Sequence, residues 1–338
     1  GVTQFSLVSG IYTFSVAHTT EEFAFNGLLE NTTVASDKSV TITLHASSLS
    51  GGLLFKEVYY SGSPIEGSTG STGYYSDSFT ELYNNSDEVI YLDNIGFGAL
   101  DPAASNNPSV WVDESGNLQD RLPLYGYSFY FKGSGTDHPL QPRTSIVIAM
   151  DGINHQTDPA GNSLSPVNMG NADWELYVGD INGGKDADAP GVANMEILHA
   201  TSTTSNDALY SVFGPAMVIF RFPENIDPAD FAADEANLST KPGTSVQTQY
   251  LRIPKEYMID AVECVNHDPN RRHKRIAADL DAGYTFISEG TYSGKSVRRK
   301  VKQIIDGKVI YKDTNNSTED FLQDQTPIPF VHPTTVDQ

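Results

Sequence analysis

Apolar and polar residues alternate along several short segments of the chain, the pattern typical of half-buried β-strands. In residues 11–16, the side chains of Tyr12, Phe14 and Val16 fall on one face, and residues 40–45 alternate in the same way. Ser, Gly and Asp separate the two segments, as turns between antiparallel strands require. The alternation therefore predicts a strand at each place.

The rest of the chain is predicted to consist mainly of strands and irregular loops. The further segments with strand character are residues 53–60, 78–83, 89–97, 125–131, 145–150, 174–178, 216–222, 257–265, 284–288, 296–303 and 309–311. One short helix is predicted at 227–235, with Asp227 as N-cap and Pro228 at the first helical position. Residues 61–73 predict a long glycine-containing loop, and residues 151–249 are mostly irregular.

Length and composition point to two β-rich domains. The chain has 338 residues, of which 38 % are hydrophobic and 19 % charged, so it can bury a core but lacks the charge-rich runs of helical proteins. The small polar stretch 47–52 predicts a domain boundary, giving domains at 1–50 and 51–338. The first is short for a closed sandwich, so we expect one or two further strands upstream of it.

Charge and cysteine content exclude several classes of protein. Asp and Glu number 43 against 21 Lys and Arg, and the net charge of −22 opposes sequence-independent binding to nucleic acid or to an anionic membrane. Most basic residues lie between Arg252 and Lys312, which predicts either a basic patch or internal salt bridges. No apolar run is long enough for a membrane span. Cys264 stands alone in an apolar segment, which favours a buried structural thiol.

Several segments, in order, resemble the strands of a lamin-tail-like domain. The opening of such a domain is similar to residues 54–60, 79–86 and 91–95. Its later strands and its Thr-Pro ending are similar to residues 141–149, 259–262, 294–299 and 326–327. Residues 10–12 resemble the Gly-x-Tyr strand of a carboxypeptidase-regulatory-like domain. The segments 83–87 and 312–318 resemble those of a Bacteroides-type family of secreted or surface lipoproteins that combines the two domains.

This resemblance implies a mostly-β fold and a surface location. The expected architecture is a small N-terminal β-sandwich followed by an elaborated lamin-tail-like, Ig-type β-sandwich with a long irregular insertion at about 151–256. The resemblance implies a lipid anchor upstream, an extracellular outer-membrane address, and binding of a ligand or partner. A transporter of the outer membrane or a glycan is the partner that it implies. It supplies no catalytic residues.

Two other functions stay open. An extracellular hydrolase acting on a polymer is the first, although the sequence contains no Gly-x-Ser-x-Gly or His-Glu-x-x-His motif. A structural or adhesive surface protein is the second. Paired carboxylates with raised pKa in a pocket would favour the hydrolase, and an exposed aromatic strip without such a pair would favour the binding protein.

The residues from which we predict a metal site lie in an acidic, glycine-containing loop. Asp180, Asn182, Asp186 and Asp188 could offer oxygen ligands to Ca²⁺. The loop is not a helix-loop-helix calcium motif, because Gly191 stands where that motif requires a bidentate Glu. A solvated acidic loop without a metal is the alternative. No cofactor is predicted to be required.

Two further sets of residues are candidates for ligand binding. Tyr74 and Tyr75, beside the glycine-containing loop, could stack on a sugar ring. Lys295, Arg298 and Lys300 could form a cationic face for an anionic ligand or partner. The alternative for the second set is an edge strand that its charges protect from pairing.

Overall fold

The computed structural model describes residues 1–20, 22–48, 51–68 and 72–337, with the backbone alone at positions 47 and 48. Two residues of the predicted domain boundary, Leu49 and Ser50, and residues 69–71 of the predicted loop lie outside the described residues. Strands hold 36 % of the chain and helices 7 %, in several sheets, which confirms the predicted mostly-β class.

The strands are short and numerous. In chain order they are β1 (Gly10–Thr19), β2 (Phe23–Val34), β3 (His45–Ser48), β4 (Leu53–Tyr59), β5 (Ser63–Pro64), β6 (Gly73–Tyr74), β7 (Phe79–Asn84), β8 (Ile90–Tyr91), β9 (Ile95–Leu100), β10 (Arg121–Tyr130), β11 (Pro139–Leu140), β12 (Ser145–Ala149), β13 (Trp174–Glu175), β14 (Ala193–Asn194), β15 (Glu196–Ala200), β16 (Ala216–Arg221), β17 (Leu238–Thr240), β18 (Gln249–Pro254), β19 (Met258–Glu263), β20 (Ser296–Arg299), β21 (Val301–Ile305), β22 (Lys308–Tyr311) and β23 (Phe321–Gln325).

Helices are few. The α-helices are α1 (Gly179–Asn182), α2 (Pro228–Ala233) and α3 (Ser317–Asp320), and the 3₁₀ turns are Glu235–Asn237, Lys255–Tyr257 and Pro269–Arg271. In α2, Pro228 occupies the first turn and the Asp227 carboxylate caps two backbone N–H groups, as predicted. Within the described residues, no helix is both long and apolar enough to cross a membrane.

Two seven-stranded sheets share the main core. One has the order β14-β13-β12-β7-β4-β20-β23, and the other has the order β17-β18-β10-β9-β16-β19, with β15 also paired to β10. Phe55 and Ile148 of the first sheet are buried in one cluster with Phe97, Phe129 and Ile219 of the second. Burial of these large side chains between the sheets is the main favourable contribution to folding.

The N-terminal strands form a separate three-stranded sheet in the order β1-β2-β3. The strand predicted at 40–45 is wrong, because residues 37–44 form no ladder. The segment instead packs closely against Gly27 of β2. A Cβ atom on Gly27 would lie 2.6 Å from the Ile42 side chain and 2.8 Å from that of Leu44. Asn26 of β2 donates a hydrogen bond of 2.6 Å to the carbonyl of Thr314, far along the chain.

Two other strand predictions need correction. Residues 284–288 make only a single bridge, between Thr285 and the buried Cys264. The segment that contains Arg298 is not an edge strand, because β20 lies between β4 and β23 and all four of its residues are buried. Ion pairs compensate the buried charges there, so protection from edge pairing is not their role.

Arg299 of β20 connects the two large sheets. Its guanidinium, only 1 % exposed, pairs with the carboxylates of Asp260 on β19 at 2.6 Å and of Asp313 at 2.9 Å. It also donates 2.8 Å to the carbonyl of Phe55 on β4. Asp320 lies at 3.5 Å. The arginine therefore joins strands of both sheets through fixed hydrogen bonds.

A second buried pair fixes the end of β19. Glu263 accepts hydrogen bonds from the Arg275 side chain at 2.7 and 2.9 Å and from the backbone N–H groups of Arg275 and Ile276. Lys56 and Glu81 form a third such pair at 2.7 Å, with both side chains fully buried. Internal salt bridging therefore accounts for Arg275 and Arg299 in the basic segment.

Replacing Arg299 by Met should lower the free energy of unfolding by about 3–5 kcal/mol, because it leaves several buried carboxylates without their cation. Urea unfolding measures this loss. Lys132→Met is the matched control, since Lys132 pairs with Glu196 at 3.2 Å with both side chains largely exposed, and its loss should cost less than about 1 kcal/mol. Equal effects of the two substitutions would contradict the role assigned to Arg299.

Candidate functional site

Three carboxylates converge beside one edge of the first sheet. Asp151 follows β12, Asp186 lies in the loop after α1, and Asp207 lies in the loop after β15. One carboxylate oxygen from each lies within 4.8 Å of the others. Two oxygens on opposite sides of a Ca²⁺ ion, each at about 2.4 Å, are about 4.8 Å apart, so the three could share one ion.

Glu175, at the end of β13, ties together two of the segments that carry these carboxylates. Its side chain is fully buried and accepts hydrogen bonds of 3.1 Å from the N–H groups of Gly152, next to Asp151, and of Ala189. The Asp186 carboxylate itself accepts a 2.8 Å bond from the N–H of Val178. These bonds fix the two loops against the sheet.

Asp207 is held from two sides. Ser76 donates a hydrogen bond of 2.8 Å to its carboxylate. Asn182, at the end of α1, donates to the carbonyls of Ser205 at 3.1 Å and Asn206 at 2.6 Å, and so orders the loop just before it. The sequence makes this possible because an amide side chain carries two donors.

Burial and mutual repulsion raise the pKa values of carboxyl groups in and beside the cluster. Burial first, then the charges of Asp207 and Asp186, raise the pKa of Asp151 to about 8. Burial, and then the charge of Asp207, raise the pKa of Asp186 to about 6. Burial and neighbouring charges also raise the pKa of Glu175 to about 7. At neutral pH and without an ion, Asp151 therefore carries a proton.

Two buried oxygens at the cluster have no hydrogen-bond partner among the described residues: Oδ1 of Asp151 and the hydroxyl of Tyr127. Tyr127 is only 8 % exposed, and the charges of Asp186 and Asp207 add to burial in raising the pKa of its phenol. The phenol is therefore close enough to these two carboxylates to feel their charge. Within the part of the chain that the structure describes, no Lys, Arg or His forms a salt bridge with the cluster.

Unpartnered buried oxygens and uncompensated carboxylates both cost free energy of folding. A divalent cation would remove both costs, because it neutralises the carboxylates and accepts the orphaned oxygens as ligands or through a bound water. The donor set is entirely oxygen, which suits a hard cation such as Ca²⁺ rather than Zn²⁺.

An open cleft of about 360 Å³ adjoins the cluster, and Asp207 belongs to both. Tyr74, Tyr75, Ser76 and residues 204–206 line it. The cleft therefore offers two aromatic rings, several hydroxyl and amide groups, and one carboxylate of the cluster to a ligand.

His155 connects Tyr74 of the cleft to Asp151. Its Nε2 atom lies 3.2 Å from the carbonyl oxygen of Asp151, and its Nδ1 atom lies 2.8 Å from the Tyr74 hydroxyl. Because a carbonyl only accepts, Nε2 carries the proton and Tyr74 donates to Nδ1. Burial lowers the pKa of His155 to about 4, so the ring stays neutral at pH 7.

The four residues predicted to bind Ca²⁺ have different roles in the structure. Asp186 lies in the carboxylate cluster, and Asn182 orders the loop that carries Asp207. Asp180 is exposed on α1, and Asp188 accepts a 2.9 Å bond from Asn194. The four residues thus do not surround one point.

The residues predicted to bind a ligand do not form one site either. Tyr74 and Tyr75 line the cleft, whereas Lys295, Arg298 and Lys300 do not. Arg298 is only 7 % exposed and pairs with Asp337 at 3.3 Å, and Lys295 lies 3.8 Å from Glu289. The N–H of Lys300 donates to the carbonyl of Asp320 at 2.7 Å.

Asp151 and Asp207 are the site residues that the sequence did not reveal. Asp151 had a weak signal, since an Asp-Gly pair directly follows the predicted strand 145–150. Asp207 had none, because it lies in a polar loop whose distance from the other two carboxylates depends on the fold.

Comparison with known proteins gives one family. A model for proteins of unknown function designated DUF4876 matches residues 141–328, which include the whole carboxylate cluster. The crystal structure of a DUF4876 family protein from Bacteroides thetaiotaomicron VPI-5482 is 31 % identical, with a TM-score of 0.71, over 98 % of this chain and 88 % of that chain. No curated protein matched.

The predicted relationship to a Bacteroides family is thus confirmed, while the lamin-tail-like and carboxypeptidase-regulatory-like parts remain predictions. The family match spans more than half of the chain, and the structural neighbour extends over nearly all of it. The chain belongs to the DUF4876 family of proteins of unknown function.

Proposed function

We propose that this protein is a surface-exposed binding protein that holds a Ca²⁺-like divalent cation between Asp151, Asp186 and Asp207. The observation that carries the proposal is the convergence of three carboxylate oxygens within 4.8 Å beside an open cleft. The orphaned Asp151 oxygen and Tyr127 hydroxyl support it, because their burial without a partner is otherwise unexplained.

The proposal includes an extracellular outer-membrane location with a lipid anchor upstream of this chain, and a role accessory to an outer-membrane transporter or to glycan uptake. The lamin-tail-like core and the carboxypeptidase-regulatory-like N-terminal domain belong to it as well. The ordered sequence resemblance and the similarity to a Bacteroides protein support these parts. Protease treatment of intact cells tests the location, since a surface protein should be cleaved without lysis.

An extracellular hydrolase is the second candidate, and the raised pKa of Asp151 favours it, because a protonated carboxyl group beside a cleft could act as a general acid. The spacing argues for the cation instead. The carboxyl groups of a retaining glycosidase stand about 5–5.5 Å apart to admit a glycosidic bond, and those of an inverting enzyme stand farther apart. Here three oxygens approach one point. Release of reducing ends from polysaccharides, lost in Asp151→Asn, would favour the hydrolase.

Calorimetric titration with Ca²⁺ should give a dissociation constant of about 0.1–1 mM, the range of extracellular calcium modules. Asp151→Asn and Asp207→Asn should each weaken binding at least about tenfold, because each removes a charged ligand. Asp180→Asn is the matched control from the same acidic region and should bind normally. Loss of binding in the control alone would move the ion to the 180–188 loop, and no binding by the unaltered protein would refute the proposal.

Ca²⁺ affinity should depend on pH with a definite sign. The pKa of Asp151 is about 8 and that of Asp186 about 6 without the ion, so binding between pH 6 and pH 8 must displace the Asp151 proton. The dissociation constant should fall about tenfold per pH unit across this window and level off above it. Calorimetry in buffers of different protonation enthalpy should show release of about one proton per ion at pH 7. A pH-independent affinity would contradict the assignment.

Without the ion, the stability of the fold should depend on pH through the same carboxyl groups. Because the folded state holds the Asp151 proton more tightly than the unfolded chain, the stabilisation is complete below the unfolded pKa and is lost as pH rises through about 8. The melting temperature in EDTA should therefore fall from pH 6 to pH 8, and Ca²⁺ should restore it. The Asp151→Asn variant, which has no such proton, should show a smaller fall.

A further inference from the structure

We infer that the cation and the adjoining cleft together bind a neutral carbohydrate, two of whose neighbouring hydroxyl groups complete the coordination of the ion. The inference rests on the proposed cation site and adds the class of ligand. Its structural basis is that Asp207 is both a member of the carboxylate cluster and part of the cleft wall. An ion held by Asp207 would thus lie at the border of the cleft.

The cluster leaves coordination positions open. Ca²⁺ takes about six to eight oxygen ligands, and three carboxylates supply about three to six of them, some already engaged elsewhere. The Asp186 carboxylate accepts the N–H of Val178, and the Asp207 carboxylate accepts the hydroxyl of Ser76. Because Asp207 also lines the cleft, water or a ligand hydroxyl pair in the cleft can occupy the remaining positions.

The cleft has the lining that a sugar ring requires. Tyr75 is half-buried and packs against Tyr292 with ring centroids 6.3 Å apart, which holds its ring in place. Ser76, Thr204, Ser205 and Asn206, which carry hydroxyl or amide groups, line the same cleft. An aromatic face beside hydroxyl and amide groups matches the apolar face and polar edge of a pyranose.

The charge of the site selects a neutral ligand over an anionic one. Three carboxylates and one divalent cation leave a net charge of −1 when all three are ionised. Asp188 and Glu175 add negative potential at Asp186, and the whole chain carries a net charge of −22. Lys185 donates to the carbonyl of Thr204 at the rim, but it is exposed and so contributes little. A carboxylated or sulfated ligand would be repelled, whereas a neutral diol would not.

Luminescence of Tb³⁺, a substitute for Ca²⁺, separates the possible results. Its lifetimes in H₂O and D₂O count the water molecules on the ion. Addition of methyl glycosides of mannose, galactose, glucose and fucose, which present both cis and trans vicinal diols, should remove about two water molecules for at least one of them. With Ca²⁺ in place of Tb³⁺, calorimetric titration should show weaker binding of glucuronate than of glucose, because the site then keeps its net negative charge.

Two variants locate the effect. Tyr75→Ala should weaken sugar binding about tenfold and leave the Ca²⁺ affinity unchanged, because it removes only the stacking surface. Tyr91→Ala, an exposed tyrosine outside the cleft, is the matched control and should change neither. Asp207→Asn should weaken the binding of both the ion and the sugar at least about tenfold.

Failure of the sugar-binding inference and failure of the proposed cation site would give different results. Ion binding with no change in water count for any glycoside would overturn this inference and leave the cation site standing. Absence of ion binding would overturn both proposals. Sugar binding that persists in EDTA would also overturn the inference, since the ion would then take no part in recognition.

Discussion

A carboxylate removed from water must be compensated by a positive charge or by hydrogen-bond donors, and this requirement governs the interior of the protein. Arg299 meets it for the carboxylates of Asp260, Asp313 and Asp320, and in doing so joins the two large sheets. Arg275 and Lys56 do the same for Glu263 and Glu81. In a chain with about twice as many acidic as basic residues, such compensation cannot reach every carboxylate.

The carboxylates of Asp151, Asp186 and Asp207 are a place where this compensation is incomplete. Hydrogen-bond donors such as the N–H of Val178 compensate part of the negative charge, but among the described residues no cationic side chain forms a salt bridge with these carboxylates. The sheets make this arrangement rigid, since buried Glu175 ties the loops on both sides of it to β13. A site preorganised in this way avoids the entropic cost of gathering three loops around an ion, which is why it could bind a cation and a ligand at moderate concentration.

Local signals sufficed for much of the fold. Alternation predicted β1, strand-forming composition predicted β7 and β16, and the Asp227-Pro228 pair predicted the start of α2. These local signals failed where contacts with residues distant in the sequence decided the secondary structure. Residues 40–44 alternate like a strand, yet they pack against Gly27 without a ladder. The segment around Arg298 alternates like a charged edge strand, yet it lies inside a sheet, because distant carboxylates compensate its arginines.

The sequence by itself determined the β class, the net negative charge, the buried Cys264 and the acidic, glycine-containing loop that carries Asp186. These depend on composition and on patterns a few residues long. The tertiary structure alone decided that Asp186, rather than Asp180 or Asp188, joins Asp151 and Asp207. These three are separated by tens of residues. β12 pairs with β13 in the first sheet and β15 pairs with β10 in the second, so only the packing of the two sheets brings the three loops together. Convergence of this kind depends on the sheet order and not on any local motif.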